Sequence, residues 1–140
     1  MMQLIVFKLK EHFYGFTTEN IEEITTTMKE TVIPQGPSWT KGLINLRGQI
    51  MTLVDLEVLL NGTSTSQELW YNNTVIVNQQ DNLVAFMVGK VVGVTDVEPD
   101  AVQKMDDNKE SLVSGYVYAY NEMVSIIDLE SILIEKEEVS

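Results

Sequence analysis

Asn45-Leu46-Arg47-Gly48 holds the single arginine of a chain with formal net charge −12. A guanidinium in that setting presents a planar, permanently charged fork to a carboxylate or a carbonyl. Two kinds of acceptor are open to it: a group on a partner, or one of the 21 acidic residues of the chain itself. Either pairing is recognition chemistry. The groups that make and break bonds are scarce, because His12 is the only histidine, stands in a polar turn, and has no cysteine beside it anywhere in the sequence. Cys/His and Ser/His arrangements and transition-metal sites therefore lose nearly all their members. Asp106-Asp107-Asn108 followed by Glu110 lacks the glycine and the spacing of a calcium loop. No glycine-rich phosphate loop is present either. Asp55 and Asp128 suggest paired carboxylates at first sight, yet each precedes Leu-Glu-x-hydrophobic-Leu, and capping of a short helix accounts for both. The expectation is a protein without catalytic, metal or cofactor site.

The elements that must position Arg47 occur twice. Gly42 to Leu60 lies over Gly115 to Leu133 without a gap, 73 positions apart, with Gly42, Asp55, Leu56, Glu57 and Leu60 identical to their counterparts. Self-similarity at a fixed offset means one structural unit built twice. In the first copy, Leu43 to Leu46 and Gln49 to Val54 read as strands around Arg47-Gly48. In the second, the matching turn is Tyr120-Asn121. Glycine and asparagine are the residues most tolerant of positive φ, so both turns suit a tight hairpin. Only the first copy carries the arginine.

Upstream, Gln3 to Leu9 alternates as a half-buried strand does, Lys10-Glu11-His12 is a turn, and Phe13 to Phe16 returns. Thr17-Thr18 before Glu19, Glu22 and Glu23, with Ile21 and Ile24 three apart, predicts a short helical turn. Those two isoleucines fit a core as well as they fit a surface. Pro34 and Pro37 predict an extended connection over 32–41 with one helical turn after Pro37. Asn61-Gly62 stops the helix after Asp55, and Thr63 to Gln67 has linker composition. Thr74 to Val77, Leu83 to Val88 and Val91 to Thr95 supply further strands. Asp106 to Ser111 is a polar loop, and the charged tail from Glu135 is expected to fray. Val91, Val94 and Val97 form an apolar strip that serves equally as an internal seam or as a groove for a partner helix. Many short strands with only short helices make an all-β protein, in two halves of approximately 1–65 and 66–140 whose terminal segments are free to cross. Each half alone is marginal in size, so shared burial is expected.

The acidic balance argues against nucleic acid or an anionic membrane surface as partner, since both need a basic footprint. No apolar run reaches the length of a spanning helix, so direct membrane insertion is not expected. The absence of cysteine suits the cytoplasm.

Lys41-Gly-Leu-Ile-Asn-Leu-Arg-Gly-x-Ile-x-x-x-Val-Asp-Leu56 resembles the most recognisable stretch of the CheW family of chemotaxis coupling proteins. Ile5-Val-Phe-x-Leu9, Phe13-Tyr-Gly-Phe16, Ile21-Glu-Glu-Ile24, Val32-Ile-Pro34, Thr74-Val-Ile-Val77, Gly93-Val-Thr-Asp-Val97 and Ile126-Ile-Asp-Leu129 extend the likeness over nearly the whole chain. The resemblance implies two tandem SH3-like five-stranded β-barrel subdomains packed together. It implies an adaptor without activity of its own, linking the cytoplasmic helical tip of a chemoreceptor to the regulatory domain of the chemotaxis histidine kinase CheA within membrane-associated arrays. Carried over by position, Asn45, Arg47 and Gly48 match the family's interaction loop. Ile21, Glu23, Val94 and Val97 match positions near an inter-subdomain groove that faces the receptor. Ser114 to Glu122 departs from the family's glycine-rich run and carries three tyrosines instead. Two other readings stand beside this one: a coupler in a non-flagellar sensory or twitching-motility pathway, and a small-molecule-binding barrel, which requires a deep polar pocket with convergent titratable groups.

Overall fold

In the computed structural model, the described residues are 1–26, 31, 39–61, 73–79, 81–104 and 112–129. The expected connection over 32–38, the linker at 63–67, the loop at 106–111, the helix after the second aspartate and the charged tail lie outside them. The chain folds as two compact units, one formed by Met1–Thr18 with Val92–Ser140 and the other by Glu19–Val91. Each is built on its own sheet.

In the first unit the N-terminal hairpin pairs β1 (Met2–Leu9) with β2 (His12–Thr17), from Leu4 opposite Thr17 to Leu9 opposite His12. Lys10 takes positive φ in the turn (56°). β8 (Val91–Val97), β9 (Gln103–Lys104), β10 (Val113–Ala119) and β11 (Glu122–Ile127) complete the sheet in the order β8-β1-β2-β11-β10-β9, with β11 parallel to β2. Its core gathers Leu4, Val6, Val97, Val117, Val124 and Ile126. Gly15 lies where β2 runs between β1 and β11. A Cβ added there would stand 3.2 Å from a Val124 methyl and 3.3 Å from the Ile5 carbonyl oxygen, so the strands close up over it.

In the second unit β3 (Ile21–Thr26), β4 (Thr40–Leu46), β5 (Gln49–Asp55), β6 (Asn73–Gln79) and β7 (Asn82–Val88) assemble in the order β3-β6-β7-β5-β4, again with one parallel neighbour pair, β5 and β7. The two sheets share a pattern: an edge strand, a hairpin, a parallel step, and a second hairpin. The first half of the sequence gives β1 and β2 to one unit and β3 to β5 to the other. The second half gives β6 and β7 to the unit of β3 to β5, and β8 to β11 to the unit of β1 and β2. Pairwise likeness along the chain does not reveal such an exchange of hairpins.

The alternation expected of β1 is absent, because Leu4, Ile5, Val6 and Phe7 are all buried. Leu4 and Val6 enter the core of their unit, while Phe7 stacks near Tyr14 and tilts against Phe16 at 4.9 Å between ring centroids on the opposite face. The same holds for Val75 to Val77 and Val84 to Val88. These interior strands are apolar on both faces and so lose period-two patterning. The helical turn predicted near Glu19 shrinks to a 3-10 turn at Thr18–Asn20, after which the isoleucines lie on β3. Pairing of β3 with β6 outweighs the local capping pattern, and the β-branched residues from Ile24 onward favour it. On that strand Ile24 is exposed and Ile21 half-buried, so neither forms the helical core face.

Asp55 ends β5 and caps α1 (Leu56–Asn61), its carboxylate Oδ1 accepting the Val58 N–H at 3.2 Å. The cap is buried, with Asp55 1% exposed. Asp55→Ala is therefore expected to cost about 1–2 kcal/mol, measured by urea unfolding, by stranding the first-turn donor away from water.

Candidate functional site

The β4–β5 hairpin closes from Leu46 opposite Gln49, leaving a two-residue loop. Arg47 has φ 52° and Gly48 φ 86°. Positive φ at both central residues is the requirement of a type I′ turn, whose twist matches that of the flanking strands. Asn45 fixes the turn by accepting the Gly48 N–H on its Oδ1 at 2.9 Å. A Cβ at Gly48 would meet nothing within 4 Å, so the glycine is required by conformation and not by space.

This turn aims Arg47 at β3. Nη1 donates to Glu23 Oε1 at 2.9 Å, and Nη2 donates to Oε1 and Oε2 at 2.8 Å each. A register irregularity between Ile21 and Glu23 accompanies the placement of Glu23. Of the two acceptors open to the arginine, the structure shows one on the chain itself. The fork remains accessible, with the Arg47 side chain 66% exposed and that of Glu23 32%. Screening by water keeps such a pair small in stability terms, and its geometry orients the guanidinium more than it holds the fold.

Asn45, Arg47, Gly48 and Glu23 thus come together on one rim of the second unit. Ile21 sits two residues from Glu23 and lines an open depression of about 320 Å³ with Glu19, Asn20, Glu22, Asn78 and Asp81. Asn78 donates to Glu22 there at 2.9 Å. The lining offers carboxylates and amides and neither histidine nor a nucleophile. Among the described residues no group of three His, Cys, Asp or Glu is arranged to hold a metal ion.

Val94 and Val97 belong to the first unit and part company. Val94 is exposed on β8, and its carbonyl accepts the Tyr120 hydroxyl at 3.2 Å. Val97 is a core residue at 7% exposure, packed with Leu4 and Val124. It presents no partner surface and bears on Val94 only by anchoring their strand.

Sequence reasoning passed over two exposed apolar residues, Ile50 at 68% exposure and Met123, while the tyrosines it noted as a departure from the family include the exposed Tyr118 and Tyr120. Ile50 stands opposite Asn45, and Met123 stands opposite Tyr118. The 73-residue offset maps one pair onto the other, so the repeat held the signal. Alternation then placed them outward, since Met51 and Val124 beside them are buried.

A family model described as CheW-like domain matches residues 3–137. A chemotaxis protein CheW from Treponema pallidum is 23% identical over 142 residues, covering 96% of this chain and 84% of that one. One from Thermotoga maritima is 24% identical over 135 residues, covering 95% and 88%. Among solved structures, the scaffolding protein TtCheW from Thermoanaerobacter tengcongensis superposes with a TM-score of 0.79 at 24% identity, over 91% of this chain and 84% of that one.

Arg47→Ala is expected to lower stability by less than about 1 kcal/mol. Gly48→Val is expected to cost more than Arg47→Ala, because a β-branched residue is strained at positive φ. Thermal unfolding of both variants at one salt concentration checks the order.

Proposed function

The chain belongs to the CheW-like domain family, and on that premise we propose that it is a non-catalytic scaffold of chemotaxis signalling. In this reading it couples the cytoplasmic helical tip of a chemoreceptor to the regulatory domain of the histidine kinase CheA, so that receptor state biases kinase activity. The observation that carries the proposal is the family match from residue 3 to residue 137. The chemistry of the rim supports it. A guanidinium held by a bidentate partner, a rigid I′ turn and an exposed Ile50 are means of docking a protein surface. The loop Asn45-Leu-Arg-Gly48, with Glu23 and Ile21 on the neighbouring edge strand, is assigned to protein contact. Val94 is assigned the same role on the first unit, with Val97 behind it. The acidic charge of −12 suits partners with basic patches and disfavours nucleic acid.

Among the described residues no helix is long and apolar enough to cross a membrane. We assign the protein to the cytoplasm, at receptor arrays it reaches through its protein partners.

The test is co-elution and titration of the chain with its cognate kinase regulatory domain and a receptor-tip fragment. Binding to both is expected, and Arg47→Glu should weaken at least one contact by about tenfold or more while shifting the melting temperature by only a few degrees. Failure to bind either partner at about 50 µM, a concentration that detects interactions near −6 kcal/mol, would overturn the coupling role.

A further inference from the structure

Arg47 and Tyr120 occupy the same place in the 73-residue repeat, the first position of a two-residue turn. Tyr120 has φ 54° and Asn121 φ 60°, against 52° and 86° at Arg47 and Gly48, so the two turns have the same handedness. The same turn geometry directs both side chains across their sheets to an edge strand. In the second unit the target is Glu23 on β3. In the first it is β8, where the Tyr120 hydroxyl donates to the Val94 carbonyl oxygen at 3.2 Å and the phenol lies over Gly93. β3 and β8 are counterparts at an offset of 70, which maps Glu23 onto Gly93 and Ile24 onto Val94.

Gly93 is the receiving half of this contact. A Cβ there would stand 2.5 Å from the Tyr120 hydroxyl oxygen and 3.3 Å from the ring carbon that bears it. Any side chain at 93 would displace the tyrosine or forfeit its hydrogen bond. Conversely, an arginine at 120 would face no carboxylate at 93. The residue types at the two ends therefore fit as pairs: Arg47 with Glu23, Tyr120 with Gly93.

We propose that Tyr120 and Gly93 form a clasp that positions the tip of the β10–β11 hairpin on β8, the counterpart in the first unit of the Arg47–Glu23 pair in the second. One clasp is ionic and the other is a neutral hydrogen bond backed by ring packing. Mobile ions therefore loosen only one of the two hairpin tips. Tyr120 is a positioning residue: it holds the tip that exposes Tyr118 and Met123, next to the exposed Val94. The inference concerns each unit alone and stands whether or not the coupling role does.

Amide hydrogen exchange reads both clasps in one molecule. Between about 0.01 M and about 1 M salt the Debye length falls from roughly 30 Å to roughly 3 Å. Exchange of the β3 amides around Glu23, relative to interior β6, should then rise about two- to fivefold. Exchange of the β8 amides around Val94, relative to interior β1, should stay level. Tyr120→Phe keeps the ring and removes the hydroxyl, and should speed β8 exchange about two- to tenfold at either salt concentration. The double variant Gly93→Glu with Tyr120→Arg rebuilds the ionic pair in the first unit. It should melt above the Gly93→Glu single variant and make β8 exchange salt-dependent. The proposal is overturned if Tyr120→Phe leaves β8 exchange unchanged, if β8 in the wild-type protein responds to salt as β3 does, or if the double variant is no more stable than Gly93→Glu and its β8 stays insensitive to salt.

Discussion

The two-residue turn that reverses the repeated hairpin of each unit is the constraint on which the exposed rim depends. A type I′ turn needs positive φ at both central positions, and the residue at the first of them pays a steric cost unless it is glycine. Here that residue is Arg47 in one unit and Tyr120 in the other. The strain is accepted at the position whose side chain reaches an edge strand. An edge strand left free offers unpaired backbone groups to any passing chain. The Arg47 and Tyr120 contacts give β3 and β8 a side-chain tie to the hairpin tips, and they orient the groups displayed there.

The chemistry of the ties separates the two copies more than their backbones do. The guanidinium fork over Glu23 is accessible and polar, whereas Tyr120 over Gly93 is aromatic and neutral. Below them the cores are built alike, from branched aliphatic residues on strands buried on both faces. Burial restricts the core positions to apolar side chains, while the exposed turns are free to carry different surface chemistry on one scaffold.

The all-β class, both hairpins and the positive-φ turns were legible in the sequence because each rests on short-range rules: Gly48 and Asn121 tolerate left-handed backbone, and Asp55 caps the helix that follows it. What escaped depended on pairing between distant segments. The Ile21-Glu-Glu-Ile24 spacing reads as helix until β6 is known to lie beside it, and β1 reads as half-buried until both its faces are found covered. Residues Asn45, Arg47, Gly48 and Glu23 were named from a motif, but their union in one ion-paired rim rests on β3 and β4 lying at the two edges of one sheet. Val97 is the counterexample. Its place in the motif says nothing of the strand face it occupies, and the structure puts it inside.

Chemical-shift mapping tests the central claim, that the hairpin rim is the surface this scaffold gives to its partners. Backbone amide spectra of the isotope-labelled chain are recorded during titration with the kinase regulatory domain and, separately, with the receptor-tip fragment. The account predicts that the largest perturbations in at least one titration cluster on Glu23, Asn45 to Gly48 and Ile50, while the interior strands β1 and β7 stay still. Binding by both partners that leaves those residues unperturbed would contradict it.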